Sequence, residues 1–231
     1  VAITKIKRIF DPSITVVIPA AGESKKITRV PKSLIDIGSE KLIERQIRIV
    51  RKMMPQAEIL VVLGYCANEV YKYIPKNVRC IENSDYEVSN IGRSLDLAMK
   101  NITTNNMMIL YGDLVFNEKA IAIPHEHSCI ILNKKGKENS VGCNLEGNMV
   151  RHFTYASPNK WAEIALLTEN EMSILRKLIH NKNSAKLLGF EVLNQVIDFG
   201  GSFQAYENHG PIIELDTNSD IINLNLLETL R

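Results

Sequence analysis

Along this chain, short uninterrupted apolar runs alternate with stretches in which apolar side chains recur every three or four positions. The runs at 14–18, 58–63, 78–81 and 107–111 are rich in β-branched residues and bounded by turn signals, so they predict buried strands. The segments between them predict helices. Over 41–54, Leu42, Ile43, Ile47 and Val50 fall on one face at helical spacing, and over 89–100 Ile91, Leu95, Leu97 and Ala98 fall on another. This alternation predicts an α/β fold, a mostly parallel sheet with helices on both faces, at least as far as Asp113. Past that point the pattern loosens. The runs 129–132, 149–154 and 163–167 predict strands without long helices between them, hence an antiparallel addition to the sheet. Helices are then predicted near 169–180 and 184–196, a strand over 211–215 and a final helix over 218–230. No internal repeat, low-complexity stretch or linker breaks the sequence, so one domain over 1–231 is expected.

Composition narrows the partners. Hydrophobic residues at 45% and charged residues at 23% are ordinary for a globular protein, and a formal charge of +2 gives no global pull toward nucleic acid or membrane. The apolar run 14–21 is far too short to span a bilayer, and the basic N-terminus lacks the apolar segment of a secretory signal. The four cysteines, Cys66, Cys80, Cys129 and Cys143, have no C-x-x-C spacing, which suits reduced thiols and a cytoplasmic location.

Local charge is another matter. After the first run comes Gly22-Glu-Ser-Lys25-Lys26-Ile-Thr-Arg29-Val-Pro31-Lys32, a basic loop delivered to the carboxyl end of a strand, where ligands of open α/β sheets collect. It lacks the G-K-[ST] ending of a P-loop and the spaced glycines of a dinucleotide fold. Taken alone it reads either as a polyphosphate site or as a solvated basic surface. Two aspartates stand at the ends of apolar runs, Asp113 after 107–112 and Asp216 after 212–215, and strand alternation puts Glu214 on the same side as Asp216. Each aspartate alone reads equally as a turn or cap residue. Together the three carboxylates would repel one another unless a cation were present, and Mg²⁺, which takes one or two carboxylates plus phosphate oxygens and water, fits best. Trp161 reads first as core; with Tyr155 it could also wall a pocket for a cationic head group. His125 and His127 read as a surface turn, and Arg93 as a solvated residue at a helix start.

The motifs Ala20-Ala21-Gly22, Pro31-Lys32-Ser33-Leu34, Gly38 and Leu42-Ile43-Glu44-Arg45-Gln46 are followed in order by Val62-Leu63-Gly64-Tyr65, Glu82-Asn83, Asn90-x-x-x-Ser94-Leu95, Tyr111-Gly112-Asp113 and Glu214-Leu215-Asp216-Thr217. Over most of the chain this string resembles the sugar-phosphate and phosphocholine nucleotidyltransferases. The resemblance implies a Rossmann-like, nucleotide-diphospho-sugar transferase type of fold, with an acceptor-side insertion at about 120–200. It implies CMP transfer from CTP to a small phosphorylated or phosphonate acceptor, phosphocholine-like or aminoethylphosphonate-like, because the Asn90…Ser94-Leu95 spacing is closer to the cytidylyltransferases. The alternatives are a sugar-1-phosphate acceptor or a non-catalytic nucleotide-binding domain; a glycosyltransferase on the same fold would normally carry D-x-D, and Tyr111-Gly-Asp-Leu-Val115 has a single acid. By resemblance, Lys32 stabilises the α-phosphate, Lys25, Lys26 and Arg29 hold the phosphates that leave as pyrophosphate, and Ala20, Ala21, Gly22, Asn83, Asn90 and Ser94 receive the nucleotide. Asp113, Asp216 and Glu214 are expected to hold Mg²⁺, and Trp161 and Tyr155 to border the acceptor if they wall a pocket. One departure stands out: the family's second loop glycine is missing from Gly22-Glu-Ser-Lys-Lys26, and lysine replaces its arginine.

Overall fold

The computed structural model describes residues 14–23, 30–124, 126–133, 137–155 and 157–222. In chain order these form β1 (Ile14–Ala20), β2 (Asp36–Ile37), β3 (Glu40–Lys41), α1 (Leu42–Met53), β4 (Glu58–Leu63), α2 (Ala67–Tyr71), β5 (Arg79–Glu82), α3 (Ile91–Met99), β6 (Asn106–Leu110) and β7 (Leu114–Phe116). There follow β8 (Cys129–Leu132), β9 (Gly142–Glu146), β10 (Met149–Thr154), β11 (Trp161–Leu167), α4 (Glu169–Leu178), α5 (Gly189–Asp198), β12 (Gln204–Glu207), β13 (Ile212–Glu214) and α6 (Asn218–Ile222).

One nine-stranded sheet runs β5-β4-β1-β6-β11-β8-β12-β10-β9. Its first half is parallel, β5 through β6. From β6 to β11 the direction reverses, and the remainder is antiparallel apart from the β8–β12 pair. The antiparallel addition is the expected one, since no long helix separates β8 from β11 to carry a crossover. Alternation along β1 sends Val16 and Ile18 into a core covered by Ile43, Ile47 and Val50 of α1, while Val17 points into a second core built with Leu95, Leu193 and Val196. That is why β1 reads as an unbroken apolar run: both of its faces are buried. No described helix is long and apolar enough to cross a membrane.

Several expectations shift. The helix expected over 184–196 is a 3₁₀ turn, Lys182–Lys186, followed by α5 from Gly189. The strand expected over 211–215 is present but shorter, as β13, and it pairs antiparallel with β7 in a small sheet of its own, Ile213 opposite Val115. Residues 223–230 of the expected last helix lie outside the described residues, as do Lys25, Lys26, Arg29 and His125.

Candidate active site

Three sets of contacts fix the loop that follows β6. Gly112 N–H donates to the Pro19 carbonyl at the end of β1, and a Cβ at Gly112 would lie 2.8 Å from that same oxygen, so glycine is required by the close approach. From α1, the fully buried Gln46 donates to the carbonyls of Tyr111 at 2.9 Å and Leu114 at 2.8 Å. From the other side, Leu215 N–H donates to the Asp113 carbonyl at 3.0 Å and extends the β13–β7 pairing. Sequence ends more than a hundred residues apart thus meet, and Asp113 stands beside Asp216.

The result is a group of three carboxylates, Asp113, Glu214 and Asp216, each offering one oxygen within 4.8 Å of the others. Lys32 sits against them, its ammonium 2.8 Å from Asp113 Oδ2 and 3.0 Å from Asp216 Oδ1. Burial works against that charge, yet the two carboxylates raise the lysine's pKa above its ordinary value and keep it cationic. Lys137 adds a second cation, 3.2 Å from Asp216 Oδ2 and 2.8 Å from Asp220 Oδ2. Glu214 is pushed up to about 8, first by burial, then by Asp113 and by a hydrogen bond shared with Asp216. Burial would raise Asp216 as well, but hydrogen bonds from Glu214 and Lys32 hold it down at about 2. The two carboxyls are thus driven apart, Glu214 toward its protonated form and Asp216 toward its charged one. The donor set suits a hard divalent cation. Asp113 Oδ1 adds a test of fit: it is buried and lacks a hydrogen-bond partner, as an oxygen reserved for a ligand would be.

Two cavities meet at this cluster. The first, about 260 Å³, is lined by Ala20, Ala21, Gly22, Lys32, Asn83, Asn90, Ser94 and Asp113. Asn83 is buried, its amide donating to Ser89 Oγ and its Oδ1 accepting from Asp85 N–H, while the Asn90 amide reaches back to the Lys186 carbonyl at 2.9 Å. Their side chains therefore brace the wall as well as face the cavity. The second cavity, about 330 Å³, is lined by Tyr155, Trp161, Glu163, Lys137, Glu214 and Asp216 among others, and shares Asn90, Ile91 and Tyr111 with the first. Trp161 is 5% exposed, gives its indole N–H to the Ile164 carbonyl and meets Tyr111 and Phe153 edge to face, so it serves the core and borders the cavity at once.

The structure brings together Lys32, Asp113, Glu214, Asp216 and the cavity residues named from the sequence; Lys25, Lys26 and Arg29 lie outside the described residues. Sequence reasoning missed Gln46 as a brace, Lys137 and Glu163. Only Glu163 left a signal, a lone acid inside the otherwise apolar run Trp161–Leu167.

An α/β sheet that opens a cavity at the carboxyl ends of β1 and β6, with a lysine and a carboxylate cluster at its mouth, offers the cation and the metal-binding oxygens that phosphate chemistry uses. The chain belongs to the MobA-like NTP transferase domain family, whose model matches residues 16–183, and it is a nucleotidyltransferase. Its fold is similar to the inositol-1-phosphate CTP transferase of T. maritima, with a TM-score of 0.77 at 15% identity over 94% of this chain and 95% of that one. It is similar also to CTP:phosphocholine cytidylyltransferase (LicC) of Streptococcus pneumoniae, TM-score 0.75 at 18% identity over 95% and 100% of the two chains. A nucleoside-diphosphate-sugar pyrophosphorylase from Vibrio cholerae RC9 gives a TM-score of 0.71 at 13% identity over 90% and 98%. None of the curated proteins compared by sequence matches.

Proposed function

We propose that the protein is a Mg²⁺-dependent cytidylyltransferase that moves CMP from CTP onto a small phosphorylated or phosphonate acceptor. The observation that carries this reading is the meeting of two cavities at one lysine–carboxylate cluster, an arrangement that sets a nucleotide and an acceptor on opposite sides of the same charged groups. The CTP preference is supported by the Asn90…Ser94-Leu95 spacing and by the CTP-using proteins of similar fold. In the reaction an acceptor oxygen, already anionic near neutral pH, attacks the α-phosphorus of CTP. The new P–O bond joins CMP to the acceptor, the bond to the bridging oxygen breaks, and pyrophosphate leaves. No general base is needed.

Asp113, Glu214 and Asp216 would hold the Mg²⁺, which when bound supplies Lewis-acid stabilisation of phosphate charge. The chain's own groups orient and stabilise. Lys32 stands at the border of the nucleotide cavity to offset charge growing on the α-phosphate. Ala20, Ala21 and Gly22 bring backbone close to the nucleotide, and Lys25, Lys26 and Arg29 hold the departing phosphates. Lys137 lies on the acceptor side and draws an anionic group toward the cluster. A pyrophosphate-release assay pairing CTP, UTP, ATP and GTP with phosphoethanolamine, phosphocholine, 2-aminoethylphosphonate and glucose 1-phosphate, with and without Mg²⁺, tests the reading. Turnover with CTP and the small acceptors is expected. Preference for UTP with glucose 1-phosphate would overturn it in favour of a sugar-1-phosphate enzyme.

A further inference from the structure

Glu163 breaks two rules at once. It has φ of +58° inside a β-strand, where a side chain with a Cβ is strained, and the β11–β8 register slips between Trp161 and Ala165 around it. Its Oε2 is sealed from solvent without a hydrogen-bond partner, although an unsatisfied buried carboxyl is costly. Strain and an orphaned polar atom in one residue point to a ligand contact more readily than to folding. The bulge turns this side chain into the second cavity, outside the Asp113–Glu214–Asp216 group.

The cavity's chemistry names the ligand. Lys137 is the cationic side chain on its wall and lies beside Asp216, so the anionic end of an acceptor is held next to the reaction centre. Apart from its tyrosines, its remaining ionisable groups are carboxyls, and Glu163 has a buried oxygen without a partner; burial and then the neighbouring Asp113 push this carboxyl well above the ordinary carboxylate range, so an incoming cation is the counter-charge that ionises it. A quaternary ammonium cannot donate a hydrogen bond to that oxygen. Its aromatic contact would fall to Tyr155, 55% exposed beside Phe190, since Trp161 is 5% exposed, and that contact would leave the Glu163 oxygen without a partner. A primary ammonium donates N–H and supplies the missing partner. We infer that Glu163 is the specificity-determining residue of the acceptor cavity and selects an acceptor carrying a primary ammonium over its quaternary counterpart. The inference rests on the cytidylyl-transfer reading for its turnover test, and a binding test separates the two.

With CTP and Mg²⁺, kcat/KM for phosphoethanolamine is expected to exceed that for phosphocholine by about tenfold or more. Glu163→Gln, which keeps shape but cannot ionise against an ammonium, should raise the KM of phosphoethanolamine about 10–100-fold, bring the ratio close to one and leave the KM of CTP unchanged. Glu163→Gly should abolish the same discrimination while raising Tm by ~2–4 °C, because glycine accepts the positive φ and the orphaned carboxyl is gone. A wild-type protein that does not favour phosphoethanolamine, or a Glu163→Gln protein that keeps its preference, would overturn the inference. If no acceptor is turned over at all, the transfer reading fails separately. Calorimetric titration with phosphoethanolamine then decides the point: binding by wild type that Glu163→Gln loses supports the role of Glu163, and no binding, or equal binding, overturns it.

Discussion

Lys32 is the counter-ion of the carboxylate cluster and, in the proposed reaction, the group that stabilises the α-phosphate, so Lys32→Met tests both roles. Its ammonium lies 2.8 and 3.0 Å from Asp113 and Asp216, with side-chain exposures of 24%, 21% and 37% for the three residues. Breaking a fully buried pair costs about 3–5 kcal/mol and an exposed one about 0–1. At this intermediate exposure, removal of the lysine is expected to cost about 1–2 kcal/mol in protein freed of metal by a chelator. For a chain of this size that lowers Tm by about 2–8 °C. Saturating Mg²⁺ should return most of the loss, because the carboxylates then face another cation, whereas it should add less to the wild type, whose lysine competes for the same oxygens. In the pyrophosphate assay kcat should fall by about two to three orders of magnitude, the usual effect of losing one stabiliser of transition-state charge, with the KM of CTP changed far less. Thermal unfolding with and without Mg²⁺ and steady-state kinetics are sufficient. An unchanged Tm in chelator together with an effect confined to KM would refute the reasoning, since Lys32 would then be neither the cluster's counter-ion nor a catalytic group.

Asp113→Asn and Asp216→Asn should each remove most Mg²⁺-dependent turnover, by about 10²–10³-fold, with circular dichroism unchanged; near wild-type rates at limiting Mg²⁺ would exclude that residue as a ligand. Glu214, raised to about 8, keeps a proton in the native state that the unfolded chain releases near its ordinary 4.5, so metal-free stability should fall as pH rises through that interval. Asp216, lowered to about 2, acts at the other end, its contribution being present above about 3.8 and lost as pH falls toward 2. Melting curves between pH 5 and 8.5 should therefore show a falling Tm in chelator and a flatter profile in Mg²⁺, and Glu214→Gln should make the chelator curve shallower, the remaining slope coming from Glu163, which burial also raises; a chelator curve that rises would contradict the assigned proton. Burial pushes the Cys143 thiol up to about 11 and Cys129 to about 12, whereas Cys66 is exposed, so iodoacetamide at pH 8 should label Cys66 first and reach the buried pair only after unfolding, as peptide mass mapping would read.

What could be read from the sequence followed from burial on two faces. The runs that became β4, β8 and β10 were bounded correctly because each is apolar or alternating and closed by turn residues. The strands that escaped are short or polar: β7 is Leu-Val-Phe, β9 is Gly-Cys-Asn-Leu-Glu at the sheet edge, and β12 is Gln-Ala-Tyr-Glu. Their pairing is decided by partners far along the chain, which local periodicity does not record. The start of α5 moved for a similar reason. A Cβ at Gly189 would lie 1.7 Å from the Tyr111 hydroxyl, so this glycine is fixed by a tertiary neighbour, and helix begins there rather than at Ser184. Among the candidate site residues, Asp113 and Asp216 were legible because each follows an apolar run. Lys137 and Gln46 were not, since a lysine in a polar stretch and a glutamine on a helix look like solvated surface until the fold buries one and turns the other toward Asp216.

The same contacts that make the fold also hold the chemistry in register. Asp113 sits where the parallel half of the sheet gives way to the antiparallel half, between β6 and β7, and its loop is pinned by β1, α1 and β13 at once. Hydrogen bonds that its main chain makes with β1, with the Gln46 side chain and with Leu215 fix the loop that carries Asp113, so a cluster whose charges repel is confined by backbone geometry and by two lysines. The two-stranded pairing of β13 with β7 matters most here. It lies outside the main sheet and buries little by itself, yet Leu215 inserts at full burial beside Val115, and that anchor places Glu214 and Asp216 on either side of it. Alternation then turns both carboxylates toward Asp113. The position of the acidic group is therefore a consequence of one buried leucine between two acids, which is the sense in which a Glu-Leu-Asp sequence far from the basic loop encodes half of a site.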